Sequence, residues 1–356
     1  MRKCAIYPYS DSLFPLLENK DQLIDELCID AVIYPKAWKN QLLHKDVLEG
    51  ILHGSDFEAL TEQVECVIFA DLENRGFMYS DIMKKAEFAL TTGKDLIFCT
   101  PIELSDLTKL KASFPDREIL IKYNESKELC DNIYIHEDIC CGAIGVGGVY
   151  RGLDTLAATT GITFAFQKKG IHTIGISTNA TLSLLGFYLF PSYIFKSSLD
   201  PEQQVGALNA FFKGLEKKTG CDLMIIAFPD GMIKFLPETI DAYGIKAFML
   251  TRAVAFDSFV LGSFLDNTNK EAYDYIRSLL ETRFGLSLHA CLFQALTADR
   301  EYSVESQQIL YTRNNVEIMR ESYETLKQTM QDCIIADYDD PAAYDLIAEN
   351  FLRMFT

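Results

Sequence analysis

Short runs of apolar residues alternate with segments of helical spacing along the first third of this chain. The runs are unbroken, as in Val67-Ile68-Phe69-Ala70 and Leu96-Ile97-Phe98-Cys99. Unbroken apolar strands are typical of a parallel sheet that helices cover on both faces. Residues 1–135 are therefore predicted to form a Rossmann-like parallel α/β domain. Strands are expected at 5–7, 31–34, 64–70, 95–99 and 118–123, and helices at 13–27, 81–91 and 104–114.

A polar stretch at residues 124–138 interrupts this alternation, and we interpret it as the link between two domains, with a short strand at 133–135. The alternation restarts after it, so residues 136–356 are predicted to be a second α/β domain. Its expected strands are at 143 onwards, 172–176, 222–231, 247–250, 258–261, 288–296 and 308–311. Its expected helices are at 154–169, 182–185, 201–218, 240–243, 270–284, 317–330 and 341–355.

A glycine-rich stretch opens the second domain, between an apolar run and the helical pattern that starts near Asp154. A strand, a glycine turn and a helix in that order build an anion-binding corner in many α/β proteins. Glycine lets the backbone approach a phosphate, and the helix N-terminus offers free N–H groups and the positive end of its dipole. The corner makes Gly145, Gly147, Gly148, Arg151 and Thr155 candidate cofactor-binding residues.

The corner departs from both familiar nucleotide motifs. Counted from Gly145, the GK[ST] positions of a P-loop hold Tyr150, Arg151 and Gly152, so the lysine and the Mg²⁺-binding hydroxyl are both missing. In the dinucleotide pattern GxGxxG, Tyr150 stands where the third glycine belongs. We describe the corner as a degenerate P-loop-like turn. Two interpretations stay open: a tight turn that binds nothing, and a contact to a nucleotide or phosphate.

Two polar residues that follow predicted strands complete the candidate site. Thr178 follows the strand at 172–176, and Asp230 lies at the end of the strand at 222–231, in the place of a Walker B carboxylate. Pro229-Asp230-Gly231 is also an ordinary turn sequence. These residues can share a ligand with the glycine corner only if their strands are neighbours in the sheet.

The first domain offers weaker candidates. Tyr9-Ser10-Asp11 follows the first strand without any glycine, which argues against NAD or FAD binding there. Asp71 ends a strand at the edge where ligands bind, but an aspartate in that place also caps a following helix.

The chain is acidic, with a formal net charge of -18. That charge argues against binding to nucleic acid or to an anionic membrane surface, both of which favour basic proteins. No apolar run approaches the roughly 20 residues that span a bilayer. The N-terminus enters a strand pattern without a signal-peptide apolar region, so we expect a cytoplasmic protein.

Ten cysteines are present and none forms a CxxC pair. Most lie in apolar segments and are expected to be reduced core thiols. The vicinal pair Cys140-Cys141 has the one unusual spacing, and a metal or redox role for it stays open. The five histidines lack metal-ligand spacing and no GxSxG elbow occurs, so we assign no metal ligand and no catalytic residue.

Several blocks resemble, in the same order, the clostridial peptide maturation system proteins. They are Ala5-Ile6-Tyr7-Pro8, Phe14-Pro15-Leu16-Leu17, Tyr34-Pro35-Lys36-Ala37-Trp38, Gly145-Val146-Gly147, Gly186-Phe187, Phe190-Pro191 and Ile225-Ile226-Ala227-Phe228-Pro229-Asp230-Gly231. The resemblance covers about residues 1–265. It implies an accessory role beside a radical SAM maturase and a precursor peptide, but it implies no reaction. In the family pattern a lysine follows the glycine turn, where this chain has Gly152.

The leading hypothesis is therefore an accessory protein in the maturation of a ribosomally synthesised, post-translationally modified peptide. It would bind the precursor peptide or the radical SAM maturase. The alternative is a nucleotide- or phosphate-dependent enzyme, a P-loop-like NTPase or transferase that uses the corner from Gly145 to Thr155. A third hypothesis is a redox or metal-handling protein that uses Cys140 and Cys141. Whether the chain has a catalytic activity and whether it forms a homodimer stay open at this stage.

Overall fold

The computed structural model describes residues 1–42, 44–72, 78–123, 135–239, 243–264, 270–314, 323–328, 330 and 332–355. The chain forms two compact units. The first comprises Met1–Ser126 and Asn179–Leu189, and the second comprises Lys127–Thr178 and Phe190–Thr356. Each unit is built on a parallel sheet with helices, so the predicted α/β fold class is confirmed.

The first unit has a six-stranded sheet in the order β3-β2-β1-β4-β5-β6, and each pair of neighbours is parallel. This is the strand order of the Rossmann fold. The strands are β1 (Arg2–Tyr7), β2 (Leu27–Ile33), β3 (Leu52–Gly54), β4 (Cys66–Phe69), β5 (Asp95–Phe98) and β6 (Ile119–Ile121). The helices are α1 (Phe14–Glu18), α2 (Phe57–Thr61), α3 (Tyr79–Thr91) and α4 (Leu104–Ser113). Short 3-10 turns lie at Asp11–Leu13, Lys20–Gln22, Lys36–Gln41 and Asp46–Leu48.

Aromatic side chains form much of the core of the first unit. The rings of Phe69 and Phe98 stack at 5.0 Å between centroids, and the ring of Tyr7 meets Phe57 edge to face at 5.5 Å. Apolar side chains of α3, among them Ile82, close one face of the sheet over this cluster. The unbroken apolar strands are thus buried as the sequence predicts.

The predicted helix over residues 13–27 is wrong. Helix α1 ends at Glu18, and a 3-10 turn at Lys20–Gln22 follows it before β2 begins at Leu27. Asp25 and Glu26 have positive φ angles of 58° and 55°, which a right-handed helix excludes. The apolar spacing was helical, but the chain must reverse its direction within this span to enter β2.

The second unit contains six parallel strands in the order β15-β12-β11-β7-β10-β8. They are β7 (Gly142–Gly148), β8 (Thr173–Ser177), β10 (Leu223–Ala227), β11 (Ser258–Phe264), β12 (Leu288–Gln294) and β15 (Ile334–Asp337). The strands β13 (Leu296–Asp299) and β14 (Leu310–Arg313) form an antiparallel pair. Strand β9 (Tyr188–Leu189) and the 3-10 helix Ala180–Leu185 belong to the segment that joins the first unit.

The helices of the second unit are α5 (Leu156–Lys168), α6 (Pro201–Thr219), α7 (Ile245–Ala253), α8 (Lys270–Leu279), α9 (Arg300–Ser306) and α10 (Pro341–Phe355). A π-helical turn at Leu280–Phe284 continues α8, and a 3-10 turn lies at Ile194–Lys196. Residues 323–328 are also helical. Helix α5 is buried along most of its length and packs against α10, where Gly161 lies under the ring of Tyr344.

The predicted strand over residues 247–250 is wrong, because these residues lie inside α7. An apolar run of four residues fits a buried strand and a buried helix equally well. Gly244, which precedes α7 with a φ angle of 71°, is the local signal that was missed. The predictions for residues 133–134, 240–242 and 317–322 lie outside the described residues.

Candidate functional site

Gly145 and Gly147 lie inside strand β7, not in a loop, which corrects the predicted glycine turn. A Cβ atom at Gly145 would lie 2.7 Å from ring atoms of both Phe228 and Phe259. A Cβ atom at Gly147 would lie 2.8 Å from Phe259 Cζ. Both glycines make room for the aromatic side chains of the two neighbouring strands. Their role in the structure is therefore packing of the sheet.

The turn that follows β7 is held against a segment that follows β10. Met232 N–H donates to the carbonyl of Gly148 at 3.2 Å, and Ile233 N–H donates to the carbonyl of Val149 at 3.0 Å. A Cβ atom at Gly231 would lie 2.3 Å from the backbone nitrogen of Arg151. The two loops are thus in direct backbone contact, as a shared site of neighbouring strands requires.

The N-terminus of α5 is occupied by side chains of this chain. The Asp154 carboxylate accepts the Leu156 N–H at 2.8 Å, and the Tyr338 hydroxyl accepts the Ala157 N–H at 3.0 Å. Burial raises the pKa of Tyr338 well above its usual value, so this hydroxyl stays neutral. A phosphate in a P-loop takes the corresponding N–H groups. In this chain an internal carboxylate and a hydroxyl take them instead.

Thr155 precedes α5 directly, but its side chain does not cap the helix. Its carbonyl accepts the N–H of Thr159 at 2.9 Å and the hydroxyl of Thr159 at 2.8 Å. The side-chain amide of Gln294, at the end of β12, donates to the carbonyl of Asp154 at 2.7 Å. The corner is therefore fixed from three directions: β12, Tyr338 and the loop after β10.

Asp230 lies between two cations at the carboxyl edge of the second sheet. Its carboxylate is 3.8 Å from Nε of Arg151 and 3.1 Å from Nζ of Lys246, and it also accepts the N–H of Gly231 at 3.0 Å. The side chains of Arg151 and Lys246 are 63% and 41% exposed, whereas that of Asp230 is 15% exposed. The cluster carries a net positive charge that solvent can reach.

The structure brings part of the predicted site together. β7 and β10 are neighbours, so Gly148, Arg151 and Asp230 meet at one edge of the sheet. Thr178 follows β8, and β10 lies between β8 and β7 in the sheet. Lys246 and Tyr338 were not predicted from the sequence. The Asp154 cap could have been recognised from its place just before an apolar helical pattern.

Four aromatic rings pack together at the end of β7, on the side of its neighbour β11. Tyr150 lies 5.2 Å from Phe235 and 5.7 Å from Phe264, and Phe264 lies 5.9 Å from Tyr311. The Tyr311 hydroxyl donates to the carbonyl of Arg151 at 2.8 Å. This aromatic packing lies where β7 and β11 end side by side.

Asp71 in the first unit acts as a cap. It follows β4, beside β1, at the point where the strand order of the first sheet reverses and Rossmann proteins bind ligands. Its carboxylate is 3% exposed and accepts the N–H of Ala180 at 3.0 Å. Its own N–H donates to the Thr181 hydroxyl at 2.7 Å, and its carbonyl accepts the Asn179 amide at 3.0 Å. The chain's own segment Asn179–Leu185 is bound there.

Within the described part of the chain, no group of three or more His, Cys, Asp or Glu side chains is arranged to hold a metal ion. No helix among the same residues is long and apolar enough to cross a bilayer.

Comparison with known proteins gives a fold relationship. No family model and no curated protein sequence matches this chain. A crystal structure of a DUF1611 family protein from Anabaena variabilis superposes with a TM-score of 0.64 and 12% sequence identity, covering 99% of this chain and 100% of that one. At this identity the match establishes a common fold only.

Two further structures match less well. A GTPase from Pyrococcus abyssi in its apo form has a TM-score of 0.26 at 12% identity, over 58% of this chain and 84% of that one. Chloroplast FtsY from Physcomitrella patens has a TM-score of 0.30 at 9% identity, over 96% and 95% of the two chains. TM-scores this low carry no argument about shared function. The chain therefore shares the two-unit α/β fold of the DUF1611 family protein.

Asp337 ends β15 beside Tyr338, and burial raises the pKa of its carboxyl group. A raised pKa in the folded state means that folding favours the protonated acid. The contribution of the Asp337 carboxyl to stability is fully present below its unfolded pKa of about 3.9. It is lost as the pH rises through its raised pKa in the folded protein. We expect Asp337→Asn to raise the melting temperature at pH 7 and to have no such effect at pH 3. The amide oxygen of asparagine can still accept the Asp339 N–H, which donates at 3.0 Å in the native chain. A melting temperature that rises equally at both pH values would contradict this.

Proposed function

We propose that this chain is a non-catalytic binding protein that serves as an accessory in the maturation of a ribosomally synthesised, post-translationally modified peptide. The observation that carries the proposal is an exposed surface on α7, made by Tyr243, Ile245 and Phe248. These three side chains are between 43% and 56% exposed. Adjacent exposed apolar side chains on a protein surface commonly mark a docking site. We call these three residues and the cations around them the α7 surface.

Three cations lie beside the apolar residues of the α7 surface. Lys234 Nζ lies 5.2 Å from the ring centroid of Tyr243, and the Arg252 guanidinium lies 5.0 Å from that of Phe248. Arg283 donates to the Tyr243 carbonyl. In a chain with a net charge of -18, this basic rim favours a partner segment that is acidic and carries apolar side chains.

The occupied corner at α5 supports a binding role over a catalytic one. Asp154 and Tyr338 already accept the N–H groups that would hold a phosphate, and Gly152 stands where the family pattern has a lysine. A nucleotide in this place would have to displace a carboxylate that caps the helix. We propose that the partner is the precursor peptide or the radical SAM maturase, because the resemblance of the sequence implies both.

The test is a binding measurement with a precursor peptide and a radical SAM maturase from the same genome as this chain. We expect fluorescence anisotropy or calorimetry to detect binding of one of them. We expect Phe248→Ser to weaken it at least tenfold, about 1.4 kcal/mol. Rising salt should also weaken binding, because the rim is charged and exposed. The matched control is Tyr275→Ser on α8, which removes a side chain that is 64% exposed but lies outside the α7 surface.

Two outcomes would overturn the proposal. One is that neither the peptide nor the maturase binds to the folded wild-type protein. The other is that Tyr275→Ser weakens binding as much as Phe248→Ser, since the effect would then not belong to the α7 surface.

The second candidate is a nucleotide- or phosphate-dependent enzyme, and the exposed cations Arg151 and Lys246 beside Asp230 favour it. Titration with ATP, GTP and NAD, with and without Mg²⁺, separates the two candidates. Our proposal predicts no binding heat in any of these titrations. If one of these nucleotides binds with micromolar affinity, and Arg151→Gln abolishes that binding in a folded protein, the enzyme becomes the better-supported function.

A further inference from the structure

Three cysteines lie together at the amino ends of two neighbouring strands. β7 and β10 are parallel, with Gly142 in register with Leu223, and the Gly142 N–H donates to the Asp222 carbonyl at 2.9 Å. Cys140 and Cys141 directly precede β7, and Cys221 precedes β10 by two residues. Neighbouring strands are about 4.8 Å apart, so this register brings the cysteines of the two chain segments within side-chain reach.

Cys141 pairs with Cys221 and not with its neighbour in sequence. The thiols of Cys141 and Cys221 are hydrogen-bonded to each other. The thiol of Cys140 instead faces the carbonyl of Asp138 at 3.8 Å and is exposed. The sequence draws attention to the adjacent residues Cys140 and Cys141, but the two thiols that interact are those of Cys141 and Cys221, which are 80 positions apart.

The backbone around this pair is held in place. The amide N–H groups of Cys140 and Cys141 both donate to the Glu216 carboxylate, at 2.5 and 2.7 Å. Lys213 forms an ion pair with the same carboxylate. The Cys221 N–H donates to the Thr219 hydroxyl at 3.3 Å. Helix α6 thus fixes both chain segments through its last turns, which limits the motion of the two sulfur atoms.

The surroundings of Cys221 favour its thiolate. A hydrogen bond from the Cys141 thiol is the largest cause. Burial opposes it, but hydrogen bonding to Thr219 and the nearby His172 add to it, so the pKa of Cys221 lies below its usual value. The same hydrogen bond and burial raise the pKa of Cys141. Thiolates are the reactive form of cysteine, and a thiolate next to a thiol is the arrangement from which a disulfide forms.

We propose that Cys141 and Cys221 are a thiol modification site that closes to a reversible disulfide when a peroxide reacts with it. The Cys221 thiolate attacks one oxygen of hydrogen peroxide, giving a sulfenic acid and hydroxide. The Cys141 thiol then attacks that sulfur, and water leaves as the S–S bond forms. Two electrons pass from the sulfur atoms to the peroxide, and a dithiol returns them to the protein. Cys221, which meets the peroxide, is 6% exposed, and its partner Cys141 is half-buried, so the pair lies just below the surface, within reach of a small oxidant.

The chain contains its own comparison pair. Cys4 on β1 and Cys66 on β4 are in register, and their thiols are also hydrogen-bonded to each other. Both residues are 0% exposed, inside the first sheet. Because they share the thiol contact and differ in access, the folded protein should oxidise Cys141 and Cys221 while Cys4 and Cys66 stay reduced.

The experiment oxidises the folded, reduced protein with one equivalent of hydrogen peroxide, blocks the remaining thiols with iodoacetamide and maps disulfides by mass spectrometry. We expect a cross-linked peptide pair containing Cys141 and Cys221, which dithiothreitol removes. Cys140→Ser should leave the cross-link unchanged, whereas Cys141→Ser should abolish it. Disulfide mapping of the wild-type protein tests the proposal by itself, even if one of the variants fails to fold.

Three results would overturn the proposal. The first is a cross-link from Cys140 to Cys141 or to Cys221, in place of the cross-link between Cys141 and Cys221. The second is oxidation of Cys4 and Cys66 at the same rate as Cys141 and Cys221 in protein whose circular dichroism is unchanged. The third is that the folded protein yields no cross-link at all.

Discussion

Gly145→Ala is expected to lower the free energy of unfolding by about 3 kcal/mol, the upper part of the range for overpacking a core. The added methyl group would lie 2.7 Å from the rings of Phe228, just after β10, and Phe259, on β11. These rings are themselves packed at 5.0 Å between centroids, so neither can withdraw without disturbing the other. Urea denaturation measures the change as a lower midpoint with an unchanged slope.

The matched control is Gly262→Ala on β11, the strand beside β7. Its added methyl group would lie no closer than 3.7 Å to any other atom, which is ordinary contact. We expect a change below about 1 kcal/mol in either direction, because the loss of chain entropy in the unfolded state favours alanine. In the Gly145→Ala background, Phe259→Leu should recover part of the lost stability. Equal costs at Gly145 and Gly262 would show that the aromatic rings are not the cause.

The tight packing of Gly145 and Gly147 makes both glycines poor probes of ligand binding at the corner. A substitution at Gly147, such as Gly147→Val, tests for ligand binding only if the protein stays folded. Because a Cβ atom there would lie 2.8 Å from Phe259, a loss of binding would report a damaged sheet. Arg151 is the better probe, since its side chain is 63% exposed and points away from the core.

The sequence predicts the features that depend on neighbours along the chain. The unbroken apolar runs predict both parallel sheets, and Pro341 and the acidic residues before it predict where α10 starts. The glycines are predicted as a special feature of β7, but for the wrong reason. A phosphate-binding turn and a strand packed between two phenylalanine rings both require glycine, and only the contacts of Phe228 and Phe259 distinguish them.

The features that depend on distant residues are not predictable in this way. Tyr338 caps α5 across 181 positions of the chain, and nothing local to either residue indicates it. Cys141 meets Cys221 only because β7 and β10 are neighbours. The segment Asn179–Leu189 lies within the predicted second domain but packs with the first unit. Strand order and the packing of distant segments decide these three features, and apolar spacing contains no information about either.

Asp71→Ala is expected to lower the free energy of unfolding by about 3 kcal/mol, because it removes a buried hydrogen-bonding carboxylate and leaves the Ala180 N–H buried without its acceptor.

The matched control is Asp56→Ala. Asp56 also accepts a backbone N–H at the start of a helix, from Ala59 at 3.2 Å, but it is exposed, so water replaces it at a cost of about 1 kcal/mol. Urea denaturation gives both values, and hydrogen exchange at residues 180–185 should increase in the first variant only. Equal costs in the two variants would mean that Asp71 is an ordinary cap and that burial adds nothing. A cost confined to Asp71→Ala, with faster exchange at 180–185, would mean that this carboxylate holds the Asn179–Leu185 segment at the reversal point of the first sheet.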